Sequence, residues 1–157
     1  MLNEDYKDIL RALSQEKAEF LLVGAYALAV YGYPRSTMDI DLWTMPSPKN
    51  ALSVLRALIQ FGAPVQSLTP DDLAKESIIF QIGVAPRRID IITSVDGLDF
   101  ASAFKRSNRL TIDGIDVHVL SIEDLIQNKK TAGRLKDLAD VEALENLLAK
   151  NKKAPGL

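Results

Sequence analysis

Three aspartates carry the chemistry this sequence can offer. Asp39 and Asp41 stand one residue apart in the run Met38-Asp39-Ile40-Asp41-Leu42, and Asp90 stands between Ile89 and Ile91. Alternation along a strand places residues i and i+2 on one face. Asp39 and Asp41 therefore point together, with Met38, Ile40 and Leu42 on the other side. Like charges held side by side are costly without a cation between them, and acids inside apolar strands need a pair, a bond or a metal. Hard oxygen donors of this kind suit Mg²⁺. If the Asp90 strand lies beside the first, three carboxylates can hold two Mg²⁺ ions roughly 3.5–4 Å apart, a separation suited to phosphoryl or nucleotidyl transfer. One ion would polarise an attacking hydroxyl, and the other would bind a triphosphate and its leaving pyrophosphate.

Other elements must position these acids. Tyr6, Ile9, Leu10 and Leu13 recur at helical spacing over residues 3–16. Residues 19–23 read as a buried strand ending at Gly24, where the chain can turn tightly or approach a ligand. A short apolar helix over 25–31 stops near Gly32, and the strand of the paired acids spans 38–44. Ser47-Pro48 opens a helix expected to bury Leu52, Leu55, Leu58 and Ile59 and to end at Gly62. Thr69-Pro70-Asp71-Asp72 starts a shorter one. Residues 77–82 and 87–93 read as two strands, followed by a small helix over 100–105. Asp113-Gly114 between 109–112 and 115–119 is a hairpin signal. Ser121 opens a helix over 122–132 with Asp124 as its capping-box acid. Gly133 separates it from a last helix, 136–150, with Leu138, Val141, Leu144 and Leu148 along one stripe. The expected architecture is α+β (mixed α/β): a mixed sheet flanked by helices, with a C-terminal helical pair. Residues 1–150 would form one domain and 151–157 a frayed tail.

Composition narrows the classes. The 157 residues are 47% hydrophobic and 25% charged, the balance of a globular protein. There is no cysteine and a single histidine, His118, which excludes thiolate and histidine-rich metal sites. The net charge of -2 disfavours a large nucleic-acid partner. No apolar run approaches the ~20 residues that span a bilayer, and Met1-Leu2-Asn3-Glu4-Asp5 lacks the pattern of a signal peptide. The expected location is cytoplasmic.

Taken in order, these residues resemble the nucleotidyltransferase superfamily with the DNA-polymerase-beta-like fold. The pattern is a glycine and a small residue, a spacer, an acid-x-acid pair, and a third acid on a later strand. Gly24-Ala25, Asp39-Ile40-Asp41 and Asp90 follow it. Arg35-Ser36-Thr37-Met38-Asp39, Arg88-Ile89-Asp90 and the segment from Lys129 to Asp140 resemble elements of bacterial AbiEii-like and related uncharacterised nucleotidyltransferases. The resemblance implies that Asp39, Asp41 and Asp90 bind metal, and that Asp90 helps deprotonate the acceptor. It implies nucleotide or phosphate contacts from Gly24, Ala25, Arg35, Thr37, Lys129, Arg134 and Lys136, with Asp137 orienting the basic helix. The substrates implied are a nucleoside triphosphate (ATP among the candidates) and a hydroxyl acceptor: a protein side chain, a transfer-RNA end or a small molecule.

The chain departs from the family pattern at Ala25, which stands where active members carry serine and offers only its amide. That departure keeps open a rival function: a degenerate nucleotide- or partner-binding protein of a toxin–antitoxin pair. Plainer roles stand beside the others. Asp90 could pair with Arg87 or Arg88, the basic residues could be a solvated helix face, and Tyr26, Tyr31, Tyr33 and Trp43 are expected in packing.

Overall fold

The computed structural model describes residues 2–33 and 36–153. Seven helices and six strands follow in the order α1 (Glu4–Gln15), β1 (Phe20–Val23), α2 (Gly24–Val30), β2 (Asp39–Thr44), α3 (Pro48–Phe61), α4 (Pro70–Leu73), β3 (Ile79–Ile82), β4 (Arg88–Ile92), α5 (Phe100–Arg106), β5 (Asn108–Ile112), β6 (Ile115–Val119), α6 (Ile122–Ala132) and α7 (Leu135–Lys153). The strands form one mixed sheet, β3-β4-β2-β1-β6-β5. β2 runs parallel to β4, β1 parallel to β6, and the other neighbours are antiparallel.

Local chemistry explains the boundaries. Asn3 caps α1 by accepting from the Tyr6 amide at 2.9 Å, and Ser47 caps α3 with Pro48 at its first position. Thr69 and Asp72 close a full capping box on α4. Asp113 and Gly114 both have positive φ, as a two-residue hairpin between β5 and β6 requires. Ile40, Leu42, Ile89 and Ile91 are buried together on one face of β2 and β4. The opposite face of those strands carries the acids.

Several expectations need correction. In α3 the core is met by Asn50, Ala51, Val54, Ala57 and Leu58, while Leu52 and Ile59 are exposed. The small Ala51 and Ala57 let α3 pack against α1 and α4, which turns the bulkier residues outward. α7 begins at Leu135 and runs to Lys153, into the stretch expected as tail; residues 154–157 lie outside the described residues. Its buried stripe holds Asp137, Asp140, Val141 and Leu144, and Leu138 is half exposed. Two acids displace leucine there because basic side chains reach them. Asp124 does not close a capping box: Ser121 accepts from its amide, but its carboxylate pairs with Arg106 at 2.9 Å.

Candidate active site

The parallel register of β2 and β4 sets Asp41 beside Asp90 and Asp39 beside Arg88. The three aspartates meet on one face, as the alternation predicts. One oxygen from each lies within 4.8 Å of the others. Three convergent carboxylates without a nitrogen or sulfur donor fit a hard divalent cation. Burial pushes the Asp41 carboxyl up to about 7, reinforced by the neighbouring charges of Asp39 and Asp90 and by a hydrogen bond with Asp90. The arrangement is electrostatically uncomfortable for the protein alone, and a cation would relieve it.

Arg88 answers part of that discomfort. Its Nε donates to Asp90 Oδ1 at 3.0 Å, and its Nη2 donates to Asp39 Oδ2. The plain ion pair of Asp90 with Arg88 therefore exists, and it reaches Asp39 as well. Arg87 turns away towards Asp5. A charge-assisted bond contributes about 1.5–3 kcal/mol, and a metal ion would compete for the same oxygens. Arg88→Gln should therefore lower the Mn²⁺ concentration for half-saturation about tenfold, read by paramagnetic resonance titration. Weaker binding in the variant would show instead that Arg88 holds the carboxylates ready for the ion.

Gly24 sits where β1 turns into α2, with φ at +72°. A Cβ built there would meet Asp41 Oδ2 at 2.3 Å, so the position is closed to any side chain while Asp41 keeps its place. Gly24 and Ala25 border the cavity that holds the three acids. Thr37 also lines it, but its hydroxyl donates to Asp39 Oδ1 at 3.1 Å and so orients an acid. Arg35 lies outside the described residues. Tyr6 belongs to the buried stripe of α1 that helical spacing predicts. Its hydroxyl donates to the carbonyls of Pro86 and Arg88 and ties α1 to the strand of Asp90.

The cations approach from α6 and α7. Lys129, Arg134 and Lys136 line the acid cavity, whose volume is about 420 Å³. Lys129 Nζ sits 3.4 Å from Asp137 Oδ1 and 3.2 Å from Asp140 Oδ2. Arg134 Nε donates to Asp137 Oδ2 at 2.6 Å, and Asp137 also accepts from the Arg134 amide at the start of α7. Burial opposes the charge of Asp137, but the Arg134 bond and the Lys129 ammonium outweigh it and hold the carboxyl below its ordinary range. Within the basic group Lys129 is thus mostly buried against two acids, while Lys130, Arg134 and Lys136 stay exposed. Asp137 holds both Lys129 and Arg134, and Asp140 is a second acid on Lys129.

The remaining aromatic and histidine readings resolve simply. His118 Nδ1 lies 3.3 Å from Ser107 Oγ and its ring packs on Phe104. Tyr26 packs edge-on against Tyr6, and the Tyr31 hydroxyl donates to the Leu120 carbonyl. Among the described residues no helix is long and apolar enough to cross a membrane.

With this geometry the chain was compared with known proteins. A solved structure of a candidate nucleotidyltransferase from Thermotoga maritima superposes with a TM-score of 0.60 at 19% identity, covering 96% of this chain and 97% of that one. The likeness establishes the fold. No curated protein matches the chain. A family profile described as "Nucleotidyltransferase of unknown function (DUF6036)" matches residues 1–151, and the chain belongs to that family.

Proposed function

We propose that this chain is a Mg²⁺-dependent nucleotidyltransferase that moves a nucleoside monophosphate from a nucleoside triphosphate to a hydroxyl and releases pyrophosphate. The observation that carries this reading is the single cavity in which Asp39, Asp41 and Asp90 face Lys129, Arg134 and Lys136. Carboxylates on one side and cations on the other suit a polyphosphate bridged through a divalent ion. Asp39, Asp41 and Asp90 would hold the ion or ions, which supply Lewis-acid activation of the acceptor oxygen and charge for the leaving group. Lys129, Arg134 and Lys136 would bind the triphosphate oxygens, with the Gly24–Ala25 backbone against them. The acceptor oxygen bonds to the α-phosphorus, the α–β anhydride bond breaks, and pyrophosphate leaves with the electron pair. Asp90 would take the hydroxyl proton.

The test is pyrophosphate release from each of the four ribonucleoside triphosphates with Mg²⁺, for wild type and Asp39→Asn. Release lost by about 10³-fold or more in the variant is expected, since a metal ligand contributes several kcal/mol to such a transition state. Equal release by both proteins would sink the assignment of Asp39.

Ala25 favours a second reading, in which an AbiEii-like relative binds nucleotide or a toxin–antitoxin partner without turnover. On that reading Mg²⁺ and nucleotide raise the melting temperature, but no pyrophosphate appears until Ala25→Ser restores a hydroxyl beside Gly24.

A further inference from the structure

The acids of the candidate site stand on β2 and β4, and the cations on α6 and around the start of α7. A polyphosphate bridged through a metal ion touches both groups, so the gap between them has to be held. α6 is gripped near its first turn, where Asp124 accepts from Arg106 of α5 at 2.9 Å. That grip alone does not fix the far end of the helix, where Lys129 stands. The segment that follows β4 reaches that end.

The segment is first anchored to the sheet. Thr93, three residues past Asp90, is 1% exposed; its amide donates to the Ile78 carbonyl at 3.0 Å, and its hydroxyl accepts from the Ile78 amide at 2.9 Å. A tight turn follows. Val95 and Leu98 pair across Asp96 and Gly97, and the Leu98 amide donates to the Val95 carbonyl at 3.2 Å. The turn then leans on the far end of α6. The Asp96 carbonyl accepts from Asn128 Nδ2 at 3.1 Å. Gly97 has φ at +80°, and a Cβ built there would run into Thr131 Oγ1 and lie 3.0 Å from Thr131 Cβ. Thr131 has little freedom to give way, because its hydroxyl donates to the Gln127 carbonyl at 2.8 Å. Asn128 directly precedes Lys129, and Thr131 follows two residues after it.

We propose that the turn at residues 95–98 is a brace that sets where Lys129 stands relative to Asp90, with Gly97 and Asn128 as its positioning residues. The inference rests on the nucleotidyltransferase reading for the use of the brace, but not for its mechanics. Glycine is required at 97 because a side chain there would push α6 away from the turn. The Asp96 carboxylate works to the same end: after Asp137, it adds to the charges that favour the Arg134 guanidinium. A metal-bound triphosphate must be met from both sides at once, and a misplacement of about 1 Å far from the chemistry is worth about 100-fold in rate.

The chain has one tryptophan, Trp43 on the acid-bearing β2, and no cysteine. Lys130→Cys labelled with a naphthalene acceptor dye therefore gives one donor and one acceptor. Energy transfer between them reads the separation of β2 from α6 in the full chain, without nucleotide. In this background Gly97→Ala should lower the transfer efficiency. It should also lower kcat/KM for the nucleoside triphosphate about tenfold to 100-fold, mainly through KM, and leave the half-saturating Mn²⁺ concentration unchanged. Adding Thr131→Gly clears the overlap. Transfer efficiency and kcat/KM should then recover together, although a glycine within α6 lowers the melting temperature further. A role in stability alone predicts the opposite order. Asn128→Ala, which removes only the bond to Asp96, should move both readings the same way by less, and it carries the test if Gly97→Ala does not fold. Unchanged transfer efficiency in these variants would overturn the proposal, as would activity that follows the melting temperature in the double variant. If wild type releases no pyrophosphate, the nucleotidyl reading falls, while transfer efficiency still decides the brace.

Discussion

Asp41→Asn should make the metal-free protein more stable at pH 8 by about 5–10 °C in melting temperature, and should abolish Mg²⁺-dependent turnover. The first half follows from burial. The Asp41 carboxyl is raised from 3.8 to about 7 by desolvation and by the charges of Asp39 and Asp90. A group raised in the folded state adds stability that is complete below its unfolded pKa and is lost as pH climbs through its folded pKa. Asp41 therefore costs nothing near pH 4 and costs most above pH 7. At about 1.4 kcal/mol per pKa unit the cost reaches a few kcal/mol, and each is worth about 2–4 °C in a chain of this size. Asparagine keeps the shape beside Gly24 and removes the charge. The gain should shrink to nothing as pH falls towards 4, and Mg²⁺ should stabilise wild type but not the variant. Thermal unfolding from pH 4 to 8, with and without Mg²⁺, reads all three. A variant no more stable than wild type at pH 8 would mean that Arg88 already neutralises the cluster.

That balance was only partly legible in the sequence. Alternation alone placed Asp39 and Asp41 on one face, because period two is fixed by the pleat. The same rule places Arg88, two residues before Asp90, on its face, which is why a pair between them is among the plainer roles the sequence suggests. The reach of Arg88 to Asp39 could not be read, since that depends on the register of β2 against β4, a long-range property. Capping residues marked three helix starts because their bonds are local: Ser47, Thr69 and Ser121 all act within three residues. Helix faces were harder. In α3 several apolar stripes compete, and the choice between Leu52 and Val54 is made by α1 and α4. In α7 an apolar stripe through Leu138 looked natural, yet the buried stripe runs through Asp137 and Asp140. Lys129, arriving from a different helix, and Arg134 together make the burial of Asp137 tolerable. Trp43 illustrates the remaining limit: its burial was legible, but the ring it packs against, Phe100, comes from α5, far along the chain.

The buried acid of α7 should show its importance on replacement. Asp137→Asn is expected to lower stability by about 3–5 kcal/mol, the usual cost of leaving a buried charge without its partner, and to weaken nucleotide binding at least tenfold. Asp137 is fully buried and serves two cations at once, Lys129 at 3.4 Å and Arg134 at 2.6 Å. Lys129 is itself mostly buried, so it cannot turn to water when the carboxylate goes. Its remaining contact at 3.2 Å with Asp140 preserves part of the pairing, which sets the loss nearer the lower figure. The carboxyl of Asp137 is held below its ordinary range, so its contribution is present at neutral pH and is lost only as pH falls below about 4. Stability and binding can be separated by removing the pair together. Lys129→Met with Asp137→Leu replaces two charges by apolar groups, an exchange that is often neutral or better for the pair itself, although Asp140 also loses its Lys129 contact. The double variant should recover part of the lost melting temperature and none of the lost nucleotide affinity. Recovery of both would mean that Lys129 braces the corner between α6 and α7 without touching the triphosphate, and the cation side of the cavity would then rest on Arg134 and Lys136.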